Sequence, residues 1–189
     1  MHVKAAFATG APDSPPPGFR LARAAVLALS ALLLCRGITE PFNGWHEFNS
    51  AMYSVFARNH IEYGLGYTAL YCTWGETAAA PDPPQRYLNH PPLIALWTAV
   101  PLYLLGDHEW SARLVPIAAT LGSTWLLMTI LSRLGGPLLG ALAGFFFATL
   151  PLTVYFGRMI DHVAPVQLFS RLMVHGYLGW SGAYGPGRR

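Results

Sequence analysis

The chain has 189 residues, of which 53% are hydrophobic and only 11% charged, with a formal net charge of +3. Soluble domains carry about 25% charged residues, so a soluble globular protein is excluded. The basic residues stand singly at the ends of apolar runs, which excludes a nucleic-acid-binding patch. What remains is an all-α integral membrane protein, with room for four or five spans of roughly 20 residues each.

Residues 1–19 include "GAPDSPPPG", too poor in apolar side chains to pack, and read as a disordered tail. "FRLARAAVLALSALLLCRGI" follows, with Arg20 and Arg23 before its apolar core and Arg36 after it. So short a core also suits a secretory signal peptide. No small-x-small cleavage site follows cleanly, which favours an uncleaved first span, about 20–38, whose arginines snorkel to the interfaces.

The stretch 39–112 is more polar, with an interfacial helix predicted over about 46–63. Phe48, Ala51, Met52, Val55, Phe56 and Tyr63 fall near one stripe, the pattern of a helix lying in the membrane surface. Asn43 is the expected N-cap, and Gly64 and Gly66 the expected stop. Residues 91–105 are apolar, but about 15 residues with prolines at the start and at Pro101 predict a second interfacial helix that does not cross. Three further spans are predicted, over about 113–132, 137–156 and 163–180. The last is interrupted by Arg171 and His175, and the chain closes on a turn-rich basic end, 181–189, a point of possible truncation.

Charge sets the orientation. Lys4, Arg20 and Arg23 place the N-terminus in the cytoplasm by the positive-inside rule. The stretch from Thr39 to Trp110 then lies outside, with seven acidic residues against two arginines. The third span runs outward and delivers "GRMIDH" (157–162) to the same face as "GWHEF" (44–48). Cys35 sits in an apolar run and Cys72 in a polar loop, which predicts no disulfide, no structural zinc, and a Cys72 open to impermeant reagents.

Four elements, in order, carry a family resemblance. An acidic residue follows the first span and leads into "AMYSVFARNHIEYGL". "NHPPLIALW" is a His-Pro-Pro-Leu segment. "EWSARLVPIAATLGSTWLLMTILSRLGG" enters a span through an arginine and leaves it through a glycine turn, and "YFGRMIDHVAPVQLF" carries an Arg…Asp element. Together they resemble the GT-C-fold glycosyltransferases that use polyprenyl-phosphate sugars, such as the protein O-mannosyltransferases and the lipid A aminoarabinose transferases. The resemblance covers roughly residues 20–180. It implies the N-terminal portion of such an enzyme, a polyprenyl-phosphate sugar donor, an acceptor hydroxyl on the outer face, and a plasma-membrane location. The family's first outer loop commonly carries Asp-Glu, where this chain has His46-Glu47.

Transfer from a polyprenyl-phosphate sugar needs cations for the departing phosphate and a base for the acceptor proton. The resemblance makes Glu47 the base and Asp161 a second catalytic acid that orients the acceptor or binds a metal. Arg158 and His90 are the donor-phosphate candidates, and His46 and His162 are auxiliaries. No cofactor is certain, although each of those two histidines stands beside an acid and leaves a divalent metal open. Each residue also has a plainer reading. Glu47 serves as a solvated first-turn acid, Arg158 and Asp161 as a three-apart ion pair, and His90 as a loop residue at a helix start. Trp45, Trp97, Trp110 and Trp180 read as an interfacial belt. Two other classes compete, a transporter fragment with broken spans and a non-catalytic membrane scaffold.

Overall fold

The computed structural model describes residues 16–75 and 79–184. Most of the expected tail and the Arg188-Arg189 end fall outside these residues. Helix α1 is Pro17–Cys35, so the chain is helical from two residues before the expected end of the tail. Pro17 suits a first helical position, because its missing N–H has no partner there anyway.

Helix α5, Glu109–Gly135, is the centre of the molecule and packs on α1, on α6 (Pro137–Thr149) and on α8 (Val163–Trp180). Its 27 residues reach about 40 Å at 1.5 Å per residue. Among the described residues, α1 and α5 are the two helices long and apolar enough to cross a membrane alone. The expected single span over 137–156 is two helices, α6 and α7 (Pro151–Phe156). Proline disfavours helical geometry in the residue before it and cannot donate to the turn above. Leu150 is accordingly extended, at φ −61° and ψ 124°.

Helices α5 and α6 approach at glycines. A Cβ at Gly140 would stand 2.6 Å from the Met128 carbonyl oxygen, so only glycine permits this spacing, as in close-packed membrane helix pairs. At one end of the bundle the Arg23 guanidinium lies over Phe19 and Trp125, and Arg133 lies 4.9 Å over the Tyr184 ring. The opposite end, where α1 finishes and α5 begins, carries the loop layer.

That layer contains α2 (Glu47–Glu62), α3 (Gly64–Thr68), an antiparallel hairpin of β1 (Cys72–Trp74) and β2 (Gln85–Tyr87), and α4 (Leu93–Leu105). Helix α4 has 13 residues, about 20 Å at 1.5 Å per residue, and packs on both α2 and α5. Met52, Phe56 and Ala57 of α2 meet Ile94, Ala95 and Leu102 of α4 in the main core of the layer.

Three local expectations are corrected. The N-cap of α2 is His46, in the left-handed region at φ 66°, not Asn43. The buried face of α2 is wider than the predicted stripe: Met52 and Phe56 of that stripe are buried, but Phe48 is 70% exposed and Glu47, Ser50, Asn59 and His60 are buried as well. Those polar groups turn inward because the layer supplies partners, as where the Asn59 amide donates to the carbonyls of Thr73 and Gly75. Cys72, expected in an open loop, lies in β1 and is buried. The two cysteines are free, as expected.

Burial pushes the Cys72 thiol up to about 11, so at pH 8 it is both shielded and protonated. In a Cys35→Ser background, Cys72 is expected to resist a charged maleimide at pH 8 and to react on denaturation. Equal rates in the native and denatured states would show that the hairpin does not cover it.

Candidate functional site

The site begins with an arginine in the first turns of α5. Arg113 is 2% exposed, and its Nη1 donates to the carbonyls of Ile38 at 2.8 Å and Glu40 at 2.5 Å. Its Nη2 lies 3.5 Å from Glu47 Oε1, and its guanidinium stacks 4.6 Å over Phe42. One cation thus satisfies the orphan carbonyls of the turn after α1 and the carboxylate that opens α2. Gly44 makes room for this carboxylate, since a Cβ there would be 3.1 Å from Glu47 Cγ.

Glu47 is therefore a first-turn acid but not a solvated one. Its Oε2 is enclosed without a hydrogen-bond partner, as is Arg113 Nε. A general base needs an oxygen within reach of the acceptor, and here Oε1 faces Arg113 while Oε2 is shut from solvent.

The second carboxylate belongs to the loop between α7 and α8. Gly157 presses onto α5, where Thr120 Oγ1 donates to its carbonyl at 2.9 Å, and a Cβ there would be 2.9 Å from the Thr120 side chain. Ile160 N–H donates to Ser50 Oγ of α2 at 3.2 Å. Asp161 is 6% exposed. Its Oδ2 accepts from Asn49 Nδ2 at 3.0 Å, and its Oδ1 accepts from the backbone N–H of His162 at 2.6 Å. His162 Nδ1 lies 2.5 Å from the same Oδ1. Glu47 and the two side chains that hold the Asp161 loop, Asn49 and Ser50, occupy one turn of α2. Both carboxylates therefore stand at one end of the bundle.

His90 joins this group from the segment before α4. Its Nδ1 is 2.9 Å from the Tyr53 hydroxyl and 3.3 Å from that of Tyr87, and its ring centroid is 5.4 Å from that of His162. Burial, and next the charge of Asp161, pushes the Tyr53 hydroxyl well above the usual phenol range. The Tyr53 hydroxyl thus keeps its proton, and where it donates to His90 Nδ1 the ring carries its own proton on Nε2.

Arg158 forms no pair with Asp161. Its Nη1 donates to the carbonyl of Arg36, at the end of α1, so it shares the loop but leans toward another helix. His46 is exposed, with its ring 6.2 Å from those of Trp45 and Phe156. Among the described residues no three His, Cys, Asp or Glu side chains converge as a metal-binding set. A largely apolar cavity of about 420 Å³ lies between the broken helix and α8, lined by Phe147, Leu150, Thr153, Phe156, Gly157 and Gln167. It adjoins Arg158 through Gly157.

Residues 89–178 match the family model of the dolichyl-phosphate-mannose-protein mannosyltransferases. The match supports the resemblance to GT-C-type glycosyltransferases drawn from the sequence, and with two apolar helices long enough to span it fits a membrane protein. The matched segment contains His90, Arg113, Arg158, Asp161 and His162, while Glu47 precedes it. No curated protein and no solved structure shows a significant match to the chain.

Arg113, Asn49, Tyr53 and Tyr87 were not singled out from the sequence. Arg113 was visible only as a span-entry arginine. Asn49 and Tyr53 lie four apart on one helix, but nothing local ties them to residues more than 30 positions away.

Replacing Arg113 with Met would leave two carbonyls and a carboxylate buried without their cation. Removing one partner of a buried pair costs about 3–5 kcal/mol, so the unfolding midpoint in detergent is expected to fall by several degrees. A wild-type midpoint would show that Arg113 does not hold the junction.

Proposed function

We propose that this protein transfers a sugar from a polyprenyl-phosphate donor to an acceptor hydroxyl at the outer face of the plasma membrane. The observation that carries this reading is the meeting, on one turn of α2, of Glu47 and the Asp161 loop, within a chain whose residues 89–178 match the mannosyltransferase family model. In this arrangement α1, α5, α6 with α7, and α8 are four crossings, with the N-terminus cytoplasmic. Helices α2 and α4 lie in the outer interface.

Chain direction is consistent with that topology. Arg113 ties the start of α5 to the turn after α1, so these ends share a face. Arg133 meets Tyr184, beyond α8, at the opposite end. Arg23, in the first turns of α1, lies at that end too. Helix α4 is too short for the roughly 30 Å hydrocarbon and is held to α2.

The donor's prenyl chain suits the apolar cavity beside Gly157, while its phosphate reaches Arg158 and His90. Arg158 then offers a full positive charge to the departing phosphate, and His90 an Nε2–H bond. Asp161 faces the acceptor side. Glu47 stands behind it, with Arg113 keeping the α1–α2 connection in place.

The test uses the protein in nanodiscs with dolichyl phosphate as probe. Saturable binding is expected, weakened about tenfold by Arg158→Gln, which corresponds to roughly 1.4 kcal/mol. With dolichyl-phosphate mannose and a Ser/Thr-containing peptide, release of dolichyl phosphate should depend on Asp161. Absence of saturable dolichyl-phosphate binding would overturn the reading and leave a membrane scaffold.

A further inference from the structure

Asp161 and His162 form a buried carboxylate pressed against an exposed imidazole. The His162 side chain is 53% exposed and its partner carboxylate 9%. An unprotonated ring nitrogen and a carboxylate oxygen would repel at 2.5 Å, so a proton sits between Nδ1 and Oδ1. Both Asp161 oxygens accept, from Asn49 and from the His162 backbone, which favours the proton on the ring. A neutral ring with its proton on Nδ1 has its lone pair on Nε2, across the ring from the carboxylate.

His90 has the opposite assignment. Two tyrosine hydroxyls converge on its Nδ1, and a hydroxyl that donates there leaves the ring proton on Nε2. Two imidazoles with ring centroids 5.4 Å apart are thus set by their surroundings to different chemistry, one to accept a proton and one to donate a hydrogen bond. Such separation of neighbouring titratable groups is how a site divides its acid and base roles.

The other side chains at this end are less suited to the base role. Glu47 has one oxygen toward Arg113 and the other enclosed. His46 is exposed beside the Trp45 and Phe156 rings, and among the described residues it forms no ion pair with a carboxylate. Tyr53 is held protonated.

We propose that His162 is the general base of the transfer, that Asp161 is a positioning residue acting through it, and that His90 donates to the leaving phosphate. This inference rests on the function proposed above. His162 Nε2 takes the proton of the acceptor hydroxyl as that oxygen bonds to the anomeric carbon. The bond between that carbon and the phosphate oxygen breaks, and its electron pair stays on the phosphate. Polyprenyl phosphate leaves as an anion accepting a hydrogen bond from His90 Nε2–H, and the exposed His162 ring returns its proton to water.

Two measurements on the full chain in nanodiscs decide the matter. The first is kinetic, with dolichyl-phosphate mannose and a Ser/Thr-containing peptide. His162→Gln is expected to lower kcat by at least about 100-fold, the usual scale of general-base loss, with donor affinity within twofold of the parent protein. His162→Gly should regain turnover when free imidazole is added, which a structural role would not allow. Turnover of His162→Gln within threefold of the parent, or loss of donor binding together with turnover, overturns the proposal.

The second measurement needs no turnover. Imidazole ¹⁵N resonances should show His162 as the Nδ1–H tautomer and His90 as the Nε2–H tautomer, and Asp161→Asn should abolish the preference at His162 while leaving His90 unchanged. The reverse tautomer at His162 overturns the proposal. If the parent protein neither binds nor turns over the donor, the function proposed above fails, and the tautomers still decide whether the dyad exists.

Discussion

The arrangement depends on one buried guanidinium. Arg113 joins the turn after α1, the ring of Phe42 and the first residue of α2 to the start of α5. Burying such an ion costs several kcal/mol in desolvation, offset as its donors find partners. Here two carbonyls and a carboxylate take three of its five N–H groups, while Nε is enclosed without a partner. The result fixes where α2 begins, and every later contact of the site is measured from that turn. Asn49 and Ser50 receive the loop of Asp161, Asp161 orients His162, and the His162 ring lies beside His90.

This ordering also explains why α2 encloses more than its apolar stripe. A simple interfacial helix sinks its apolar stripe into lipid and leaves its polar face wet. In this chain the polar residues Glu47, Ser50, Asn59 and His60 are enclosed and Phe48 is exposed. Where a loop layer sits on membrane helices, backbone carbonyls and carboxylates on the protein side need partners that lipid cannot supply. Polar side chains of α2 meet that need, and they bring the functional groups together while doing so.

Much of the fold was legible because its signals are local. Apolar runs bounded by single arginines mark the helices now seen as α1 and α5, and the brevity and prolines of 91–105 mark α4 as a short helix. The break at Leu150 was equally local, since Pro151 disfavours helical geometry before it, yet the apolar run on both sides hid it. The hairpin that buries Cys72 had only three residues per strand, too few for alternation to stand out against a polar loop. Its pairing also needs Asn59, some 14 positions away, to hold the carbonyls that follow it.

By itself the sequence determined that the protein is helical and membrane-embedded, and, through four weak motifs in order, that it resembles a polyprenyl-phosphate-sugar transferase. It also named both carboxylates and both histidines of the candidate site. Only the tertiary structure decided what each group can do. Hydrogen-bond roles are set by partners in space: Arg113 encloses Glu47, Asp161 meets the His162 ring, and Tyr53 meets that of His90. These partners come from segments up to 66 positions apart in the chain, and no periodicity or local motif records which of them will meet.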